Sequence, residues 1–168
     1  MIFRLTNKLA KKLKELPLAH CAQYSPANPY LEWYANYFTL NRYQHILVTN
    51  ASSLLTIVMH GGGITDIDRF IDQFMMQLQD CLLEIDCELI LRRVIHPNTG
   101  SFIVAKTIDR TVLGNMNEMK KKIELYNLRY ELSPVDMTEL INRTPYNTIG
   151  FMTPKEKFKN MELGDTLV

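Results

Sequence analysis

The residues best placed to do chemistry are Asp109 and Arg110, followed by Asn115, Asn117 and Glu118. Asp109 follows Ser101–Thr107, which reads as a strand. A carboxylate after a strand end is where metal-dependent phosphoryl chemistry places a ligand. An Asp opening a helix is equally an N-cap that accepts hydrogen bonds from the first free N–H groups. Asp109, Arg110, Asn115, Asn117 and Glu118 form the candidate functional surface, and no residue is assigned as catalytic.

The soft metal ligands are His20, His45, His60 and His96 with Cys21, Cys81 and Cys87. None makes Cys-x-x-Cys, His-x-x-x-His or His-Glu-x-x-His spacing. The sequence therefore predicts no metal site and no cofactor. His20 and Cys21 are adjacent, which does not aim two ligands at one ion in regular structure. Cys81 and Cys87 lie near the end of a long helical pattern and read as buried thiols. His60-Gly61-Gly62-Gly63 resembles the oxyanion-hole motif of α/β-hydrolases, but their Gly-x-Ser-x-Gly elbow is absent. A permissive strand-to-helix turn is the plainer reading.

Charge is uneven. Met1–Leu16 holds Arg4, Lys8, Lys11, Lys12 and Lys14 against Glu15, whereas the whole chain is only +1. That balance excludes a strongly basic nucleic-acid binder by bulk charge. Lys8, Lys11, Lys12, Lys120 and Lys121 remain a candidate nucleic-acid surface. A solvated lysine face is the alternative. Tyr30, Trp33, Tyr34, Tyr37 and Phe38 could stack bases, though such a cluster more often packs a sheet face.

The elements that must position these residues read as follows. Ile2–Leu5 is a short strand, and Thr6 or Asn7 caps a helix over 8–15 with Leu5, Leu9, Leu13 and Leu16 on one face. Pro17 stops it, and 17–32 is a loop with Pro26 and Pro29. Tyr37–Leu40, Tyr43–Thr49 and Leu54–His60 are strands, with Asn41-Arg42 and 50–53 as turns. Thr65 caps a helix over 66–85, with Ile67, Phe70, Ile71, Phe74, Leu78 and Leu82 at helical spacing. Glu88–Ile95 and Ser101–Thr107 flank a turn and predict a hairpin. Helices follow from about 111 to 130, from Ser133-Pro134 to Asn142, and from Thr153-Pro154.

Two resemblances add to this reading. Phe3-Arg4-Leu5-Thr6, Trp33-Tyr34-Ala35, Ile46-Leu47-Val48-Thr49-Asn50, Lys106-Thr107 and Asp109-Arg110-Thr111-Val112-Leu113-Gly114-Asn115-Met116-Asn117-Glu118 resemble an uncharacterised bacterial domain-of-unknown-function family. The resemblance spans most of the chain and points to 109–118 as its functional region. Asn142-Arg143-Thr144-Pro145 through Phe151, with Pro154, Glu156 and Phe158, looks like the tail after the catalytic core of integrases and transposases. The segment from Arg42 through the long helix looks like the first hairpin and helix of their ribonuclease-H-like core. That resemblance implies a fold without the nuclease centre. Asn50 stands where the first carboxylate would fall, and Glu118 follows Asp109 too closely to be the third.

The 168 residues are 46% hydrophobic and 22% charged, the composition of one globular domain over 1–168. No apolar run reaches the ~20 residues of a membrane span. An odd cysteine count without a paired framework fits a reduced, cytoplasmic protein. The expected fold is α+β (or α/β), a mixed, mainly antiparallel sheet of five to six strands with packed helices. The expected function is a non-catalytic cytoplasmic interaction module with a protein partner, such as the partner or antitoxin-like component of a bacterial operon. A nucleic-acid-binding domain and an enzyme centred on 109–118 are the alternatives.

Overall fold

A computed structural model describes residues 1–16, 18 and 27–162. Pro17, His20, Cys21 and Pro26 lie outside the described residues. The fold is α+β. A five-stranded mixed sheet runs in the order β4-β3-β2-β1-β5, with β1 at Ile2–Leu5, β2 at Glu32–Leu40, β3 at Tyr43–Asn50, β4 at Thr56–His60 and β5 at Ile103–Lys106. β2, β3 and β4 form an antiparallel meander, and β1 pairs parallel with both β2 and β5. The first turn follows from its residues: Asn41 (φ 48°) and Arg42 (φ 69°) are both left-handed, as a two-residue hairpin between right-twisted strands requires.

Alternation along the strands sends side chains to two cores. On one face Phe3, Leu5, Trp33, Ala35, Ile46, Val48 and Ile57 pack against α1 (Asn7–Lys12) and α2 (Ile67–Glu84). Phe70, Phe74, Leu78 and Leu82 of α2 are buried there at the spacing the sequence shows. On the other face Tyr34, Phe38, Leu47 and Val58 meet α4 (Arg110–Asn127) and α5 (Pro134–Asn142). Of the five aromatic residues over 30–38, four are buried and Tyr37 is half-buried. Arg4, one of the cations counted in the basic stretch Met1–Leu16, is fully buried. Its guanidinium pairs with Glu32 and donates to the Lys106 carbonyl at 3.2 Å.

Four sequence expectations are corrected. Helix α1 ends at Lys12, not Glu15. Lys14 is left-handed (φ 63°), and the Glu15 N–H donates back to the Ala10 carbonyl, which closes a helix. The N-cap of α2 is Asp66, not Thr65, and it accepts from the Arg69 N–H at 2.9 Å. Glu88–Ile95 is not a strand but α3 (Glu88–Ile90) running into a π-helical turn, Leu91–Ile95. Cys87, Leu91, Val94 and Ile95 are buried at helical spacing, and Arg92 pairs with Glu88 one turn back. No hairpin therefore forms, and β5 pairs with β1 instead. The C-terminal helices begin where capping boxes stand, at Ser133 for α5 and at Thr153 for α6 (Pro154–Lys159). No helix of the described residues is long and apolar enough to cross a membrane.

The first half of the outer edge of β4 is covered by side chains of α5. Asn142 of α5 accepts from the Thr56 N–H at 2.9 Å and donates to the Thr56 carbonyl at 2.7 Å. Thr138 Oγ1 accepts from the Val58 N–H at 2.9 Å. Asn142→Ala leaves a buried N–H and carbonyl unsatisfied, at about 1–3 kcal/mol each. Chemical denaturation of this variant should show a loss of about 2–4 kcal/mol, and of Thr138→Val about 1 kcal/mol.

Candidate functional site

Asp109 is the N-cap of α4. Its Oδ1 accepts from the Thr111 N–H at 2.7 Å and the Val112 N–H at 3.3 Å. Its own N–H donates to the hydroxyl of Tyr34 at 3.2 Å. Burial pushes the Tyr34 hydroxyl up, against the pull of that N–H. Asn115 is buried: it donates to the Thr111 carbonyl at 2.9 Å and accepts from Thr148 Oγ1 at 3.1 Å. It ties α4 to the segment after α5. Arg110, Asn117 and Glu118 are exposed. Arg110 and Asn117, seven residues apart, share one helix side, while Glu118 pairs with Lys121 across 3.6 Å of open surface, a contact worth little. The five residues do not converge, and none lines the main clefts of the described residues.

Asn50, which the integrase resemblance sets at a carboxylate position, is a turn builder. Its Oδ1 accepts from the Ser52 N–H, the Ser53 N–H and Ser53 Oγ at 2.8–3.1 Å. Its Nδ2 donates to the carbonyls of Pro29 and Glu32 at 3.0 and 3.3 Å. Only an amide supplies both the donors and the acceptor. Among the described residues no group of three His, Cys, Asp or Glu could hold a metal ion. The glycine run is a turn. The Gly61 N–H donates to the Gln44 carbonyl, the Gly62 N–H donates to His60 Nδ1, and Gly63 takes φ 81°. His45 lies buried against Phe38, with the ring of His60 5.8 Å away. Burial pulls the His45 imidazole down.

Sequence reasoning missed a cleft of about 330 Å³ between α2 and α5, lined by Gln77, Asp80, Cys81, Glu84, Thr138 and Glu139 among others. Lys155 of α6 bridges Glu84 (3.4 Å) and Glu139, and Arg143 also pairs with Glu139. Burial pushes the Cys81 thiol up to about 12, so it stays protonated and is no nucleophile at neutral pH. The spacing of Gln77, Cys81 and Glu84 marks one side of α2. The opposing wall, some 55 residues later in the chain, leaves no local signal.

The lysines divide. Lys8 Nζ lies 4.6 Å and Lys12 Nζ 5.6 Å from the centre of the Tyr37 ring, and Lys12 donates to Gln44 Oε1 at 2.8 Å. Lys120 is half-buried; burial pulls its ammonium down, Glu124 opposes this and the charge of Lys8 adds to it. Lys8 and Lys12 therefore share the Tyr37 ring, Lys120 is near enough to feel the charge of Lys8, Lys11 stands in solvent, and Lys121 is occupied by Glu118.

A family model described as "Domain of unknown function (DUF6933)" matches residues 2–157. No curated protein and no solved structure matches the chain.

Two pH responses follow from these groups. The Cys81 thiol is raised above its ordinary 9.0. Its contribution to stability is present below pH ~9 and is lost as pH rises from there toward 12. Peptide-resolved mass spectrometry should find Cys81 unmodified by iodoacetamide at pH 8 in the native protein and alkylated after unfolding. The His45 imidazole is depressed below its ordinary 6.5. Its contribution is present above that value and falls as pH drops below it, so the unfolding midpoint should decline from about pH 6.5 downward, and less so in His45→Gln.

Proposed function

The chain belongs to the family described as a domain of unknown function (DUF6933), and on that premise we propose that it is a non-catalytic interaction module for a protein partner. The observation that carries this reading is the corner where α4 ends and α5 begins. Leu125, Tyr126, Leu128, Tyr130 and Val135 stand 41–82% exposed there. The rings of Tyr126 and Tyr130 lie 6.5 Å apart, with Lys122 over Tyr126. Tyr126 borders an open groove with Lys122, Leu140, Arg143 and Pro145. The Tyr126–Tyr130 pair, with Lys122 and Arg143 around it and exposed aliphatic residues nearby in the chain, has the aromatic and polar make-up usual for an interface. The reading is supported by the hydrogen bonds of Asp109, which cap α4, and of Asn115, which join α4 to the segment after α5. Free, buried Cys81 and Cys87 suit a cytoplasmic setting, where the chain acts as one domain and as the partner or antitoxin-like component of a bacterial operon.

A second reading, nucleic-acid binding, is supported by Lys8 and Lys12 gathered over Tyr37, with Lys120 in reach of the charge of Lys8. It requires affinity that falls steeply with salt.

Tagged protein expressed at native level should retain a defined partner that Leu128→Asp and Tyr130→Asp release. Each should weaken the complex ~30-fold or more, as for an interface anchor, with the thermal midpoint of the free protein little changed. Retention of the same partner by both variants, or turnover of nucleic acid by the purified chain with a divalent ion, would overturn the reading.

A further inference from the structure

β1 ends at Leu5, which lies opposite Ala35, while β2 runs on to Leu40. At roughly 3.3 Å per residue this leaves ~16 Å of strand edge beyond β1. The Thr6 N–H donates to the Ala35 carbonyl, so Tyr37 and Thr39 turn their backbone groups to the same side. The Tyr37 N–H is taken by Asn36 Oδ1 at 2.8 Å. The Tyr37 carbonyl and both backbone groups of Thr39 meet no backbone partner among the described residues, and Thr39 is exposed.

Cations flank this edge. Lys8 and Lys12 lie over Tyr37 on the α1 side, and Lys120 belongs to α4, on the other face of the sheet, within reach of the charge of Lys8. None of the three forms an ion pair among the described residues. Glu124 is the carboxylate that faces Lys120.

We propose that the protruding edge of β2 accepts an extended acidic segment of a partner protein as an added strand. The backbone of such a segment bonds to Tyr37 and Thr39, and its alternate side chains turn to the two faces. Carboxylates on one face meet Lys8 and Lys12, and on the other Lys120. A second copy of this chain would bring its own lysines to the same edge, so like charges select a different, acidic occupant. The proposal rests on the interaction-module reading but uses a different surface from the α4–α5 corner.

The probe is a blocked, fluorescent hexapeptide, Val-Glu-Glu-Val-Glu-Glu, which puts glutamates on both faces, with its lysine analogue as control. Anisotropy should show binding of the acidic peptide alone, and amide exchange at Thr39 should slow in its presence. Thr39→Pro removes the N–H, and Lys8→Glu with Lys120→Glu reverses the charge; each should weaken binding roughly tenfold or more. If Thr39→Pro does not fold, the lysine variants and the Thr39 exchange rate decide. Absence of binding at millimolar peptide overturns the proposal. So does binding that leaves Thr39 exchange unchanged, or single-stranded DNA competing for the lysines without protecting Thr39. Protection of Thr39 that grows with protein concentration alone assigns the edge to a second copy and overturns it too. A partner released by Leu128→Asp but held by Thr39→Pro would leave the interaction-module reading standing and remove this one.

Discussion

The sheet depends on a guanidinium placed where water does not reach. Arg4 sits in the middle of a four-residue strand whose members are all buried. A charge in that position is tolerable only when it is paired and its donors are used. Glu32 supplies the countercharge from β2, and the Lys106 carbonyl supplies an acceptor at the end of β5. One side chain thus joins the two parallel neighbours of β1. Strand β1 has no length to spare, and its register against both neighbours is set by contacts that a one-residue slip would break.

The shortness of β1 has a further effect. The chain leaves its carboxyl end into α1 on one face, and leaves β5 into α4 on the other. The two helical layers therefore diverge at one point, beside the part of β2 that outruns its neighbour. Lys8 and Lys120 belong to opposite layers, yet the charge of one reaches the other.

Local patterns made much of this legible. Apolar spacing specified α2, Asn41-Arg42 specified a turn, and Ser133-Pro134 and Thr153-Pro154 specified helix starts. Asp109 was legible as a cap because an Asp opening a helix accepts from its first free N–H groups. What was not legible depends on distant partners. Arg4 looks like one more cation in a basic stretch until Glu32, 28 residues away, is seen beside it. Glu88–Ile95 carries apolar residues that fit a strand or a helix, and burial against α2 and the sheet decides for the helix. The α2–α5 cleft joins residues some 55 positions apart. Asn50 stands at a carboxylate position of the integrase resemblance and Asn115 on the candidate functional surface, and only their hydrogen-bond partners show that one builds a turn and the other joins α4 to the segment after α5.

Asn142 and Thr138 give the far side of the sheet a different character from the protruding edge of β2. Their side chains take the place of a neighbouring strand along the first half of β4, so another molecule arriving there finds both backbone groups of Thr56 and the N–H of Val58 taken. Edge-to-edge strand pairing of the kind that propagates into fibres is hindered at this part of β4 while α5 is docked. The helix therefore acts as a guard against aggregation, and its strength is the free energy of local undocking rather than that of global unfolding. Heat or denaturant that frees α5 first would uncover Thr56–His60 and leave both backbone groups of Thr56 and the Val58 N–H without partners, while the pairing of this strand to β3 is still formed. The docking of one nine-residue helix is then what separates the folded protein from this exposed state.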